Sequence, residues 1–359
     1  MPTAIPAALR VPRRRLVRAI LRFLGRLITL FMTRVRVEGW ENIPTQRPLI
    51  VIANHIDDID GFILALYLPF LAEIMVAADM PVPRIARVLF DLYGYIPVMR
   101  GTGSGESTKL ALSVLEQNGV VILFPEGGIW RSATKPVHTG VAWLSQKSQA
   151  AVLPIGIMGT RKGLPRMMKF KRPEIELRIG KVIAPPYSAD APYNKAGLQA
   201  AANAMMGAVE ALIPQQERQQ LIAFDSMDLG FTTQLLDAQN RPLPTPSTLN
   251  PEQERALGKL YYDLSILETL WKGNKIPIQA IVQPNTPQPA SAVADAIDRL
   301  FAYLQDEYAA FFSYRFGNAD DVAIQAGFRA IQQQARAAGA ATITLQPMAQ
   351  TREAVIERL

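Results

Sequence analysis

The chain has 359 residues, a net charge of +7, 49% hydrophobic and 19% charged residues, and no Cys. That length supports one large or two ordinary domains with a substantial core, and the composition excludes a disordered chain. Without Cys there is no disulfide scaffold, thiolate nucleophile or Cys-ligated zinc, and with only His55 and His138 a three-His metal site is excluded too.

The positive charge sits at one end. Residues 1–37 hold nine Arg and no acid, which leaves the other 322 residues at about −2. The basic balance therefore gives no reason to expect nucleic acid as a partner. Residues 8–34 read as one helix, with Leu16, Ile20, Phe23, Leu24, Leu27, Ile28 and Phe31 on one face and Arg14, Arg18, Arg22 and Arg26 on another. The expectation is a helix lying in a lipid interface, apolar face down, with Arg reaching the phosphates. Arg18, Arg22 and Arg26 interrupt the best apolar stretch, so a membrane-spanning helix is not expected. An organelle transit peptide and an ordinary core-covering helix stay open as alternatives.

Short apolar runs then alternate with helical patterns. Strands are expected at 48–53, 74–77, 95–98, 120–124, 152–157 and 174–179, and helices at 60–69, 83–92, 106–118, 138–148 and 194–212. Ser107 or Thr108 is a candidate cap for the third of these helices. This order implies an α/β fold, a mixed sheet flanked by helices. Past a Pro-rich stretch at 238–250 the pattern turns helical, opening at Asn250-Pro251 and continuing through helices near 291–308 and 320–338. The division expected is a basic amphipathic helix (1–37), an α/β domain (38–215), a connecting segment with the Pro-rich linker (216–250), and a mostly helical extension without a chemical motif (251–359).

Four blocks carry the chemistry. In Ala53-Asn54-His55-Ile56-Asp57-Asp58-Ile59-Asp60 a buried strand ends at a His, and an Asp follows five residues later. Strand ends are where α/β sheets bind ligands. A turn there can return the Asp60 carboxylate to the imidazole, fixing its tautomer while the other ring nitrogen takes a proton from a hydroxyl. Asp57 and Asp58 are rivals for the carboxylate role, and a helix-capping Asp beside an incidental His is the plainer alternative. The second block, Gly94-Tyr95-Ile96-Pro97-Val98-Met99-Arg100, ends in an Arg suited to phosphate. The third is Phe124-Pro125-Glu126-Gly127, with Arg131 just downstream as a second phosphate candidate. The fourth is the strand Val152-Leu153-Pro154-Ile155-Gly156. No G-x-S-x-G or phosphate-loop pattern occurs. His138, with no carboxylate near it in sequence, reads as structural or peripheral.

In this order and spacing the four blocks resemble the glycerolipid acyltransferase family, of the lysophosphatidic-acid type: N-H-x4-D at Asn54 to Asp60, G-x-I-P-x-x-R at Gly94 to Arg100, F-P-E-G at Phe124 to Gly127, and the Pro-containing strand. The resemblance covers about residues 35–182. It implies an acyltransferase-like core that moves a fatty acyl group from acyl-CoA or acyl-carrier protein to the free hydroxyl of a lysophospholipid, 1-acylglycerol-3-phosphate first. His55 would be the general base and Asp60 its partner. Asn54, Gly94, Arg100, Phe124, Pro125, Glu126, Gly127 and Arg131 would form the substrate site. No metal, covalent acyl-enzyme or cofactor beyond the thioester co-substrate is implied.

Implied partners are a membrane lipid surface, the acyl donor and the lysolipid, with no nucleic acid, and the implied location is peripheral or monotopic on the cytoplasmic face of a membrane. The family usually reads F-P-E-G-T-R-S, whereas Ile129 stands here where that Arg would be. The departure makes another lysolipid or an alcohol acceptor the alternative, beside a hydrolase of the same type and a non-catalytic lipid-binding protein.

Overall fold

A computed structural model describes residues 9, 11, 13–78, 84–100, 105–129, 137–215, 227–244, 248–262, 264–273, 275–305 and 309–351. The long first helix α1 (Arg15–Met32) leads into β1 (Arg34–Glu38), followed by β2 (Leu49–Ala53), α2 (Asp60–Tyr67), β3 (Glu73–Ala77), α3 (Arg84–Tyr93) and β4 (Ile96–Val98). Then come α4 (Glu106–Leu115), β5 (Val120–Leu123), α5 (Gly140–Ser148), β6 (Ala151–Met158), α6 (Gly163–Met168), β7 (Glu174–Ile179) and α7 (Lys195–Ala211). The seven strands form one sheet in the order β1-β7-β6-β2-β5-β3-β4, parallel throughout except that β6 and β7 run antiparallel. This is the expected mixed α/β sheet. The alternating strands found in the sequence all form; β1, with its charged RVRVE alternation, and the short α6 are additions to that reading.

β2 explains why the sheet forms around it. All five of its residues are fully buried, as a strand covered on both faces requires. Ile50 and Ile52 point to a core shared with α4, α5 and α7, while Leu49, Val51 and Ala53 point to a second core with α2 and Met167 of α6. The start of α4 differs from expectation. Gly105, in the left-handed region, occupies the cap position, and Ser107 donates to the Pro97 carbonyl at 2.7 Å instead of capping.

α1 forms inside the stretch expected at 8–34 but starts only at Arg15, and its Arg face is turned the other way. Arg18 is 1% exposed and pairs with Glu73, itself 2% exposed, at 2.8 Å. Arg13 reaches the same carboxylate oxygen at 2.7 Å. Arg14 donates to the carbonyls of Asp91 and Leu92, Arg18 to Tyr93, Arg22 to Leu68 and Phe70, and Arg26 to Leu66. These carbonyls cluster at the carboxyl ends of α2 and α3, where the last turn leaves acceptors without intrahelical donors and carries negative dipole charge. The guanidinium groups thus serve the protein, in place of the lipid phosphates first assigned to them. The apolar face is the one left outward: Leu16 is 74%, Phe23 69% and Phe31 66% exposed, with Ile20, Leu24, Leu27, Ile28 and Leu30 beside them. Among the described residues no helix is long and apolar enough to cross a membrane. α1 sits tightly on α2, because a Cβ at Gly25 would come within 2.5 Å of Leu66 Cδ2.

The C-terminal part has its own core. β8 (Met227–Leu236) pairs antiparallel with β10 (Thr342–Thr351), which also pairs with the two-residue β9 (Gln288–Pro289). Around this small sheet pack α8 (Pro251–Tyr262), α9 (Ala290–Tyr303), α10 (Ala309–Phe316) and α11 (Asn318–Ala337), through Phe231, Leu257, Leu260, Ile297, Leu300, Phe328 and Ile343. The region is mostly helical, as expected, but β8 falls inside the stretch read as a connecting segment and belongs to this second core. Asn250 and Gln253 exchange reciprocal side-chain-to-backbone hydrogen bonds of 2.9 and 3.0 Å, which start α8 where the sequence placed it.

Candidate active site

β2, β5 and β4 deliver their following residues to the same, carboxyl edge of the sheet. One residue past the end of β2, Asn54 is 4% exposed and faces the neighbouring strand. Its Nδ2 donates to the Ile157 carbonyl at 2.9 Å, and its Oδ1 accepts from the Ile157 N–H at 2.7 Å. Asn54, expected on the substrate, is a clasp between β2 and β6 that holds the strand end from which His55 projects.

The His55 Nδ1 lies 2.9 Å from Asp60 Oδ2. The same oxygen accepts the backbone N–H groups of Ile56 at 2.6 Å and Asp57 at 2.9 Å. Asp60 is the first residue of α2 and has no exposed surface. A negative charge there is favoured by the helix amino end as well as by these donors. With Asp60 accepting at Nδ1, the imidazole carries its proton on that nitrogen and leaves Nε2 as a base. Neither rival takes this role. Asp57 lies in the turn beside Asp60, and burial, then the charges of Asp58 and Asp60, raise its carboxyl to about 6.

Phe124, the first residue after β5, stacks on the His55 ring with centroids 4.2 Å apart and planes 18° apart. It packs against the base itself. The chain then turns, with the Gly127 N–H on the Phe124 carbonyl at 3.0 Å and Gly127 at φ +67°, a conformation that suits glycine. Pro125 and Glu126 are buried in this turn. Arg100, two residues past β4, reaches across β3 and donates to the Gly127 carbonyl at 3.0 Å. The structure therefore brings together His55, Asp60, Arg100, Phe124, Pro125, Glu126 and Gly127. Arg131 lies outside the described residues. Gly94 is not brought to the site. It precedes β4 at the opposite edge, at φ +81°, where a Cβ would stand 3.2 Å from the Arg13 guanidinium carbon. A cavity of about 310 Å³ opens near that far edge, lined by Arg18, Phe70 and Glu73 among others, and contains none of the dyad or turn residues.

Three residues join the turn that sequence reasoning left out. His138 donates its backbone N–H to Pro125 at 2.9 Å, and its Nε2 lies 3.1 Å from the Tyr314 hydroxyl. Partial loss of hydration and then the charge of Arg100 lower its pKa below the usual histidine value. Tyr314, from α10 of the C-terminal unit, donates to the Gly127 carbonyl at 3.1 Å, and the Arg100 guanidinium lies over its ring at 4.9 Å. Arg315 donates to the Ile129 carbonyl. No local pattern marks Tyr314 or Arg315, since they lie 187 and 186 residues from their partners.

Among solved structures the chain is similar to the 1-acyl-sn-glycerophosphate (LPA) acyltransferase PlsC of Thermotoga maritima, at 19% identity over 56% of this chain and 83% of that one, with a TM-score of 0.41. Residues 34–158 match the Acyltransferase family model, and that span runs from β1 to the end of β6 with both dyad residues inside it. Over these residues, about a third of the chain, the α/β unit is similar to the acyltransferase family.

Proposed function

We propose that the protein transfers a fatty acyl group from a thioester, acyl-CoA or acyl-carrier protein, to the free hydroxyl of a lysophospholipid, 1-acylglycerol-3-phosphate being the first choice. The observation that carries this reading is the His55–Asp60 pair, held by two backbone N–H groups and by stacking on Phe124, beside the Arg100–Gly127 contact. His55 Nε2 takes the hydroxyl proton as the oxygen attacks the thioester carbonyl. Asp60 stabilises the imidazolium. Collapse of the tetrahedral intermediate breaks the C–S bond, and the leaving thiolate takes the proton back from His55. Arg100 supplies a cation for the headgroup.

The outward apolar face of α1 supports a reaction carried out on a lipid surface. There α1 rests with its apolar side chains in the lipid, and its contact with α2 holds the dyad near that surface.

The test is transfer of labelled acyl from acyl-CoA to lysophosphatidic acid by wild type and His55→Ala. A fall of about 10²–10⁴-fold in a folded variant is expected, the usual size of a general-base contribution. Full activity in His55→Ala, or no transfer by wild type across a panel of donors and acceptors, would overturn the reading. In the latter case vesicle binding that is unaffected by His55→Ala would favour a non-catalytic lipid-binding protein.

A further inference from the structure

The family match ends at residue 158, yet the turn beside the base is completed from residues 314 and 315. α10 is built to reach it. Phe312 is buried in the C-terminal core and packs on Phe316 at 5.5 Å. At 100° per residue, Tyr314 leaves the helix on the side opposite this pair and Arg315 leaves from its flank. Gly127 fits this arrangement, since a Cβ there would come within 2.3 Å of the Tyr314 hydroxyl and 2.7 Å of His138 Nε2.

Two guanidinium groups are thereby fixed on one short loop, Arg100 on the Gly127 carbonyl and Arg315 on the Ile129 carbonyl. Residues two apart are separated by at most about 7 Å. A guanidinium carries five N–H donors and serves several acceptors at once, and phosphate is an anion that takes such donors in pairs. Ile129 is apolar and cannot itself meet an anion, but Arg315 brings a cation to its carbonyl. The carboxylate in the same turn is the buried Glu126, and the Tyr314 ring beneath Arg100 adds a face that favours a cation there.

We infer that Tyr314 and Arg315 of the C-terminal unit belong to the acceptor site, with Arg315 acting beside Arg100 as the second cation for an anionic phosphate headgroup. The inference rests on the acyl-transfer reading for its substrate, and it gives the C-terminal unit a part in choosing the acceptor.

The experiment uses the full chain and two acceptors, lysophosphatidic acid and uncharged monoacylglycerol, with acyl-CoA as donor. Arg315→Ala is expected to raise KM for lysophosphatidic acid about 10-fold or more, as loss of a charged hydrogen bond does, with the KM values for acyl-CoA and monoacylglycerol unchanged. Arg315→Lys and Tyr314→Phe should give smaller rises in the same direction. These two decide the matter if Arg315→Ala does not fold. A purely structural clamp would move all substrates together or none, and unchanged preference between the two acceptors in the folded variants overturns the inference. Calorimetric binding of glycerol 3-phosphate separates the two readings. If wild type transfers nothing but binds this probe, and Arg315→Ala weakens binding about 10-fold, the headgroup site stands and acyl transfer falls. If wild type neither transfers nor binds it, or Arg315→Ala binds it equally well, the headgroup site falls.

Discussion

α1 and α7 are both long amphipathic helices packed on the same α/β unit, and they bury opposite faces. α7 turns Leu198, Ala202, Met205, Met206 and Val209 into the sheet. α1 buries Arg18, hydrogen-bonds Arg14, Arg22 and Arg26 to neighbouring carbonyls, and leaves its apolar stripe outside. Periodicity therefore identifies a face but not its direction. What decides direction is the surface waiting for it: apolar strands under α7, and the open carbonyls of two helix ends plus a buried carboxylate under α1.

The strongest way to break this comparison is to remove the countercharge. Glu73→Ala leaves Arg18 buried without its carboxylate and should cost about 3–5 kcal/mol in denaturant unfolding. A loss under about 1 kcal/mol would mean that the carbonyls alone hold the Arg face inward. Next come paired truncations. Met205→Ala in α7 should cost on the order of 2–5 kcal/mol, whereas Phe23→Ser in α1 should change stability by less than about 0.5 kcal/mol and instead weaken binding to phospholipid vesicles. Equal stability losses in the two would erase the difference between the helices.

The smallest effect contrasts a charge buried with a partner and one buried among like charges. For Asp57, unlike Glu73, burial first and then the charges of Asp58 and Asp60 raise the carboxyl from 3.8 to about 6. A raised carboxyl supports the fold in full below its unfolded value, and that support is lost as pH climbs through 6. Asp57→Asn should therefore stabilise the protein by on the order of 1 kcal/mol above pH 6 and have little effect at pH 4, read from unfolding curves at the two pH values. A pH-independent change would show that the Asp57 carboxyl is not raised in the folded protein.

Much of the sheet and the centre of the site could be read directly from the residues. LIVIA and VVIL are continuous apolar runs, which is how a strand buried on both faces looks, and the His-x4-Asp spacing is short enough for one turn to close. Gly94 was misplaced because adjacency in sequence to Arg100 says nothing about the strand between them, which carries the two to opposite edges of the sheet. β8 is hidden by the Pro-rich stretch that follows it in sequence. Its apolar residues acquire meaning only when β10, more than 100 residues later, pairs with it. Tyr314 and Arg315 were invisible for the same reason: a long-range contact leaves no local period.

The inward arginines also bear on ionic strength. A basic amphipathic segment ordinarily adsorbs to anionic lipid by releasing counterions, and such adsorption fades as the Debye length shrinks from about 10 Å at 0.1 M salt to about 3 Å at 1 M. In this chain the guanidinium groups of Arg14, Arg18, Arg22 and Arg26 are already hydrogen-bonded to protein oxygens. What α1 offers to a bilayer is hydrocarbon, so vesicle cosedimentation should persist in 1 M salt and differ little between zwitterionic and anionic lipid.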